Sequence, residues 1–221
     1  MCGIAGVWSK DTINNNSFIA GLKTLNHRGP DNLGTWASEN DAIALGHTRL
    51  AIIDLDSTGN QPMISRSGRY AITFNGEIYN YKELKNDLIR FGYKFKTNSD
   101  TEVILHLFDK YNTEAFKKLS GIFAICIWDK LKKKLYLIRD TVGVKPLYYL
   151  KDTLTNKFFF SSSIRSLLLN LRQKKINKPI FNYYSNLGRN DNSETIFKDI
   201  FKLMPGELLI LNKNIVEKKI Y

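Results

Sequence analysis

Met1-Cys2-Gly3-Ile4-Ala5-Gly6-Val7-Trp8 is the stretch on which the fold turns. From Cys2 to Trp8 it reads as a strand, so a sheet begins with the first residues of the chain and a cysteine stands at its open end. A methionine followed by a small residue is normally trimmed, and the mature chain is expected to start at Cys2. One residue then carries a thiol and a free α-amine on neighbouring carbons. Their reference pKa values are about 8.5 and about 7.7–8.0, so both titrate near working pH. The amine, directly or through one water, can take the thiol proton and later hand a proton to a leaving amine. That is a nucleophile and its base in a single residue. Cys2 alone is also open to being an accidental cysteine.

Outward from that strand the pattern alternates short β-like runs with amphipathic helices, as in a layered fold. Phe18, Leu22 and Leu25 mark one helix face, ended by the turn-rich His27-Arg28-Gly29-Pro30-Asp31. Ala42 to Leu45 and Tyr70 to Phe74 read as strands. Asn80 with Glu83, and Ser99 with Glu102, have capping-box spacing. They open helices bearing Leu84, Leu88 and Phe91, then Val103, Leu107 and Tyr111. Ile122 to Trp128 and Leu135 to Ile138 are apolar enough for buried strands. Pro146 to Leu150 and Phe158 to Phe160 follow as strands, Ile164 to Leu171 as a short helix. Pro179 is expected at the first position of another helix. Glu207 to Leu211 and Ile215 to Ile220 make a hairpin across Asn212-Lys213-Asn214. The expectation is two sheets of buried strands with helices outside.

The 221 residues, 43% hydrophobic and 12% aromatic, suit one large domain or two small ones with a sizeable core. No apolar run approaches the roughly 18–20 residues of a membrane span, and no secretory signal pattern is present. Cys2 and Cys126 are the two cysteines, Cys126 lying in an apolar run that suits a buried, inert thiol. Without a disulfide framework, a cytoplasmic address is expected. The net charge of +12 raises nucleic-acid binding as an option. The lysines are scattered, however, which favours a solvated basic surface.

Polar residues gather where strands end. Arg49, after the apolar Ala42–Leu45 run, is a surface cation or a bidentate grip for a carboxylate. Asn75-Gly76 is an ordinary hairpin turn, or an amide and a backbone N–H able to act as oxyanion donors. Glu77 is a turn carboxylate or a ligand for an amine. Asp100 is a helix-start acid favoured by the dipole, or a contact for an ammonium. Taken together, a thiol, an oxyanion pair, an arginine and two acids make a receptor for a zwitterionic amino acid. Glutamine fits, since thiol attack on its amide expels ammonia and leaves a hydrolysable thioester.

Several motifs occur in a familiar order: Met1-Cys2-Gly3-Ile4, His27-Arg28-Gly29-Pro30-Asp31, Gly46-His47-Thr48-Arg49-Leu50-Ala51-Ile52-Ile53-Asp54, Gln61-Pro62-Met63, Asn75-Gly76-Glu77-Ile78-Tyr79-Asn80, Ser99-Asp100-Thr101-Glu102, Gly121-Ile122-Phe123-Ala124 and Gly143-Val144-Lys145-Pro146-Leu147-Tyr148-Tyr149. The sequence resembles, across nearly its whole length, the glutaminase domain of class II (N-terminal nucleophile) glutamine amidotransferases, specifically glutamine-hydrolysing asparagine synthetases. The resemblance implies an α+β fold, a four-layer αββα sandwich of two mainly antiparallel sheets, over residues 1–221. It implies Cys2 as nucleophile and its amine as base. Arg49 would hold the glutamine α-carboxylate, with the backbone of Leu50, Ala51, Ile52 and Ile53 lining that side. Asn75 and Gly76 would stabilise the oxyanion, and Glu77 and Asp100 would hold the α-ammonium.

No metal and no cofactor are expected in this domain; ATP and magnesium belong to a synthetase domain. The expected partners are L-glutamine and that synthetase domain or subunit, with a homodimer open as an assembly and neither nucleic acid nor membrane required. The sequence departs from the family at Arg139-Asp140-Thr141-Val142-Gly143, at Ser163, where the family has an acid, and at Met204-Pro205-Gly206. In the family these segments lie near the synthetase contact. No Ser-Gly-Gly-x-Asp-Ser loop and no P-loop occur in the 221 residues, so an excised domain or a separate subunit is expected. An inactive glutamine-binding regulatory module, an amidotransferase subunit serving an acceptor other than aspartate, and a basic nucleic-acid-binding protein are the rival readings.

Overall fold

A computed structural model of the chain describes residues 1–9, 13, 15–38, 40, 42–51, 57–152, 154–171, 173–212 and 216–221. In chain order these form β1 (Gly3–Trp8), α1 (Asn15–Lys23), β2 (Asn32–Ser38), β3 (Ile43–Arg49), β4 (Met63–Ile64) and β5 (Tyr70–Ile78). Then come α2 (Tyr81–Arg90), α3 (Asp100–Tyr111), β6 (Gly121–Asp129), β7 (Lys134–Arg139), β8 (Tyr148–Asp152) and β9 (Lys157–Ser161). The chain continues through α4 (Ile164–Leu168), α5 (Lys178–Leu187), β10 (Ile200–Lys202), β11 (Glu207–Leu211) and β12 (Val216–Ile220). The strands pair antiparallel in two sheets, ordered β10-β8-β9-β1-β3-β2 and β12-β11-β7-β6-β5-β4.

The period of two along each strand builds the layers. Between the sheets, Ile4, Ile43, Leu45 and Phe160 meet Cys126, Trp128, Leu137 and Leu209. Trp8 sets its ring edge-on to Trp128 at 5.3 Å. The other face of the second sheet presents Ile72, Phe74, Ile125, Ile127 and Ile138 to Ile104 and Phe108 of α3. Leu88 of α2 packs behind α3 on Val103 and Leu107. Ala5, on the far face of the first sheet, is covered by Leu22 and Leu25, in α1 and the turn after it. The result is the expected αββα sandwich. Because β6 is buried on both faces, its sequence is a continuous apolar run rather than an alternation. Each such side chain taken fully from water contributes about 1.5–3 kcal/mol. Cys126 is fully buried there, and burial pushes its thiol pKa well up, as an inert thiol requires. Among the described residues no helix is long and apolar enough to cross a membrane.

Several details differ from the sequence expectation. The strand read as ending at Phe74 runs on to Ile78, so Asn75-Gly76 is not a turn; Asn75 lies opposite Ala124 and Gly76 opposite Phe123. β2, β4 and β10 were not foreseen. Asn80 does not cap α2: its amide bridges Lys118 O and Ser120 N, at 3.0 Å each. Ser99 does cap α3, its Oγ accepting from Thr101 N at 3.1 Å. Glu102 does not close a capping box, because its carboxylate accepts from Lys96 N, Thr97 N and Thr97 Oγ1. Phe91, expected on the buried face of α2, is exposed. Pro179 stands second in α5, after Lys178. β11 and β12 pair from Leu211 opposite Val216, while residues 213–215 of the expected hairpin turn lie outside the described residues.

Candidate active site

β1 lies inside its sheet between β3 and β9, with Gly3 opposite Thr48. That register delivers Cys2 to the end of β3, beside Leu50. Leu50 N–H points to Cys2 Sγ at 3.4 Å, and the thiol faces Leu50 O at 3.6 Å. Arg28 Nε donates to Cys2 O at 3.1 Å. One residue further in, Ser162 clasps Ile4, accepting from Ile4 N on its hydroxyl and donating its own N–H to Ile4 O. Cys2 is therefore held by its backbone while remaining partly exposed. The Arg-Gly-Pro-Asp segment completes the clamp. Asp31 N donates to Arg49 O, and the Asp31 carboxylate accepts Ala51 N at 2.8 Å.

The second sheet supplies the opposite wall. Gly76 is a glycine because a side chain there would run into Ile122 O and Phe123 Cα of β6. That close approach keeps β5 paired as far as Ile78. Asn75 is buried, and its Nδ2 has no hydrogen-bond partner. A buried N–H without an acceptor costs about 1–3 kcal/mol, so it marks a place where a ligand atom belongs. Behind it, Gln61 Oε1 accepts Phe74 N at 2.6 Å while Gln61 Nε2 donates to Thr101 Oγ1 at 3.2 Å. Asp100 opens α3 and accepts Ile78 N at 3.1 Å, tying that helix to the end of β5. Its burial, with the charge of Glu77 nearby, raises the Asp100 pKa to about 6.

Between the walls is a cavity of about 100 Å³. Cys2, Arg49, Leu50, Asn75, Gly76, Glu77 and Asp100 all line it. Arg49 is buried, with Nη1 donating to Asn60 Oδ1 at 2.7 Å. Ala51 is not in the lining; its N–H is taken by Asp31. Ile52 and Ile53 lie outside the described residues. The arrangement offers a nucleophile, N–H donors at one side, a cation, and two carboxylates across from it.

The lining also contains groups that the sequence reading did not assign to the site, among them Met1, His47, Gln61 and Lys145. His47 is neutral, burial having lowered its pKa to about 3. Lys145 is brought in by its neighbours in sequence. Arg139 passes under the loop and donates to Lys145 O at 2.8 Å, to Leu203 O at 2.7 Å, and to Gly143 O. Asp140 accepts Val144 N at 2.8 Å and Lys145 N at 3.0 Å. Gly143, at φ +74°, makes the turn in a conformation that side chains rarely adopt. The signal was the Gly143-to-Tyr149 motif itself, whose lysine had been read only as part of a family pattern.

Known proteins resemble the chain along its whole length. A family model described as a glutamine amidotransferase domain matches residues 1–221. The chain is 38% identical to the putative asparagine synthetase (glutamine-hydrolyzing) 2 of Methanocaldococcus jannaschii, over 100% of this chain and 46% of that protein. It is also 38% identical to the asparagine synthetase (glutamine-hydrolyzing) 1 of Bacillus subtilis, over 93% of this chain and 33% of that protein. The chain thus spans half or less of the length of these relatives. In fold it is similar to the allosteric regulatory enzyme of purine biosynthesis, with a TM-score of 0.74 over 99% of this chain and 48% of that one at 21% identity. With a family match from the first residue to the last and a cysteine-headed cleft between two sheets, the chain belongs to the glutamine amidotransferase domain family.

Proposed function

We propose that this chain hydrolyses glutamine to glutamate and ammonia at Cys2. The observation that carries the reading is the unpartnered Asn75 Nδ2, buried in the cleft that the Cys2 thiol also lines. Once Met1 is removed, the Cys2 amine takes the thiol proton and sulfur bonds to the side-chain amide carbon. The carbonyl oxygen becomes an oxyanion, stabilised by Asn75 Nδ2 and Gly76 N–H. The C–N bond then breaks, and the amine's proton leaves with the nitrogen as ammonia. Water attacks the thioester through a second oxyanion, releasing glutamate and restoring the thiol. Arg49 holds the α-carboxylate, while Glu77 and Asp100 hold the α-ammonium. The names of the relatives support a further step, in which ammonia passes to an ATP-dependent synthetase domain or subunit that amidates aspartate. ATP and magnesium act there, and glutamine hydrolysis calls for neither.

Cys2→Ala should abolish glutamate release, measured by a coupled dehydrogenase assay, without changing the thermal melt. An alanine variant that still releases glutamate would sink the mechanism. One observation favours a second reading for chains that keep Met1, whose side chain lines the cleft with Sδ 3.2 Å from Lys145 Nζ. Such a chain has no amine beside the thiol and would act only as a glutamine-binding module. Intact mass measured alongside activity separates the two forms.

A further inference from the structure

We propose that His47 determines specificity at the amide end of the substrate, one of its ring nitrogens accepting a hydrogen bond from the NH2 of the glutamine side chain. The role rests on the glutaminase reading above. His47 is 1% exposed, lines the cleft, and has no hydrogen-bond partner on either ring nitrogen. Leaving such nitrogens unpaired destabilises the empty chain, so they mark a place for a ligand atom. A histidine kept for packing would have its polar atoms met by the protein. Those of Gln61, in the same lining, are met in that way, by Phe74 N and Thr101 Oγ1.

The strands bring His47 opposite Asn75. On β3, Ile43 and Leu45 point between the sheets, and the period of two carries His47 and then Arg49 on along the same face. On β5, Ala71 points between the sheets and Thr73 reaches across to Gly46 O, which fixes how the two strands face each other. One step further towards the cleft stand Asn75 on one side and His47 on the other. The Phe74 carbonyl, next to Asn75 in the chain, lies beside the ring and suits one N–H. The second nitrogen of a neutral imidazole is a lone pair, which accepts only. Burial, with the charge of Arg49, keeps the ring neutral, so that lone pair is present at any working pH. A donor on Asn75 and an acceptor on His47 together match a primary amide, its C=O on one side and its NH2 on the other. A γ-carboxylate brings acceptor oxygens alone, and an ester has no N–H to give.

The test compares L-glutamine with L-glutamate γ-methyl ester, which keeps the carbonyl for Asn75 but offers His47 no donor. His47→Phe should lower kcat/KM for glutamine about 3- to 10-fold, the worth of one neutral hydrogen bond, and leave the ester within about twofold. His47→Gln, which keeps an acceptor, should recover most of the glutamine rate. Thermal melts check the fold, and His47→Leu takes the place of His47→Phe if the larger ring does not fit. Equal losses on both substrates would overturn the proposal in favour of a structural role, and no loss on either would overturn it outright. Calorimetry on the Cys2→Ala chain repeats the comparison without catalysis, with L-glutamine against L-glutamate. There His47→Phe should weaken glutamine by a similar factor and leave glutamate unchanged; a preference that does not move counts against the assignment. A glutamine preference lost with His47, in a chain whose wild type releases no glutamate, would support the contact and refute hydrolysis. Normal glutamate release with an unmoved preference would do the opposite.

Discussion

Asn75 and Arg49 line the same cleft but should fail in different ways when changed. Asn75→Ala removes a donor that counts only once charge has built up on the substrate oxygen. It should therefore lower kcat by roughly 10²–10³-fold with little change in KM. Arg49→Lys keeps the charge but loses the planar fork that matches a carboxylate, so KM should rise while kcat holds. Steady-state kinetics showing the reverse would mean the roles are exchanged. Asp100 offers a test through stability. Its folded pKa of about 6 lies above the unfolded value of 3.8, so native protein binds the extra proton between those values. Above pH 6 the buried charge costs stability in full; below about pH 4 the carboxyl is neutral in both states and costs nothing. Asp100→Asn should then raise stability at pH 7 by ~1–2 kcal/mol, with the gain fading as pH falls through 6 towards 4. Glutamine binding should weaken at the same time, and denaturant melts across that range would reveal a gain that ignores pH. Cys2, Arg49, Asn75 and Asp100, each ambiguous alone in the sequence and singled out by their combination and the family resemblance, do line one cavity. Lys145 was not singled out for the site, since only burial distinguishes it from the other lysines.

At the level of elements, the informative miss is β5. Asn-Gly is a strong turn signal, yet here it lies inside a nine-residue strand. The glycine answers a demand that local sequence does not show, the close passage of β6 at Ile122 and Phe123. Gly76→Ala should disrupt that pairing, costing at least about 1–3 kcal/mol in thermal or denaturant melts and also misplacing Asn75. A neutral melt would mean β6 can withdraw without consequence. The overlooked strands have physical reasons too. β2 alternates half-buried and exposed residues at a sheet edge and contains Asn32 and Gly34, which depress strand propensity. β4 spans two residues and β10 three, both set by their partners rather than by their own pattern. Buried runs such as β6 and β7 were plain, because burial on both faces leaves an uninterrupted apolar signal.

For the whole molecule, the site is a seam. One sheet brings Cys2 and Arg49, the other Asn75 and Glu77, and α3 adds Asp100. Thr73 Oγ1 crosses the seam to Gly46 O at 3.2 Å, and apolar side chains of both sheets pack between them. This division of labour has a test: the 221-residue chain should release ammonia from glutamine while showing no heat of ATP binding in calorimetry. Tight ATP binding would show that the nucleotide step has been assigned to the wrong place.

The pairing of β1 also has a consequence for biosynthesis. Its partners are β3, close by in the chain, and β9, more than a hundred and forty residues later. At about 5–20 residues per second, the ribosome needs roughly 8–30 s to reach β9. Throughout that interval the first strand has one neighbour at most, and Met1 has no cleft to settle into. An aminopeptidase working on the nascent chain meets an open terminus; one arriving after completion meets a side chain already lodged against Lys145. Met1 should therefore come off more readily from the nascent chain than from the completed fold, and intact mass after aminopeptidase treatment of folded, Met1-bearing protein would check it.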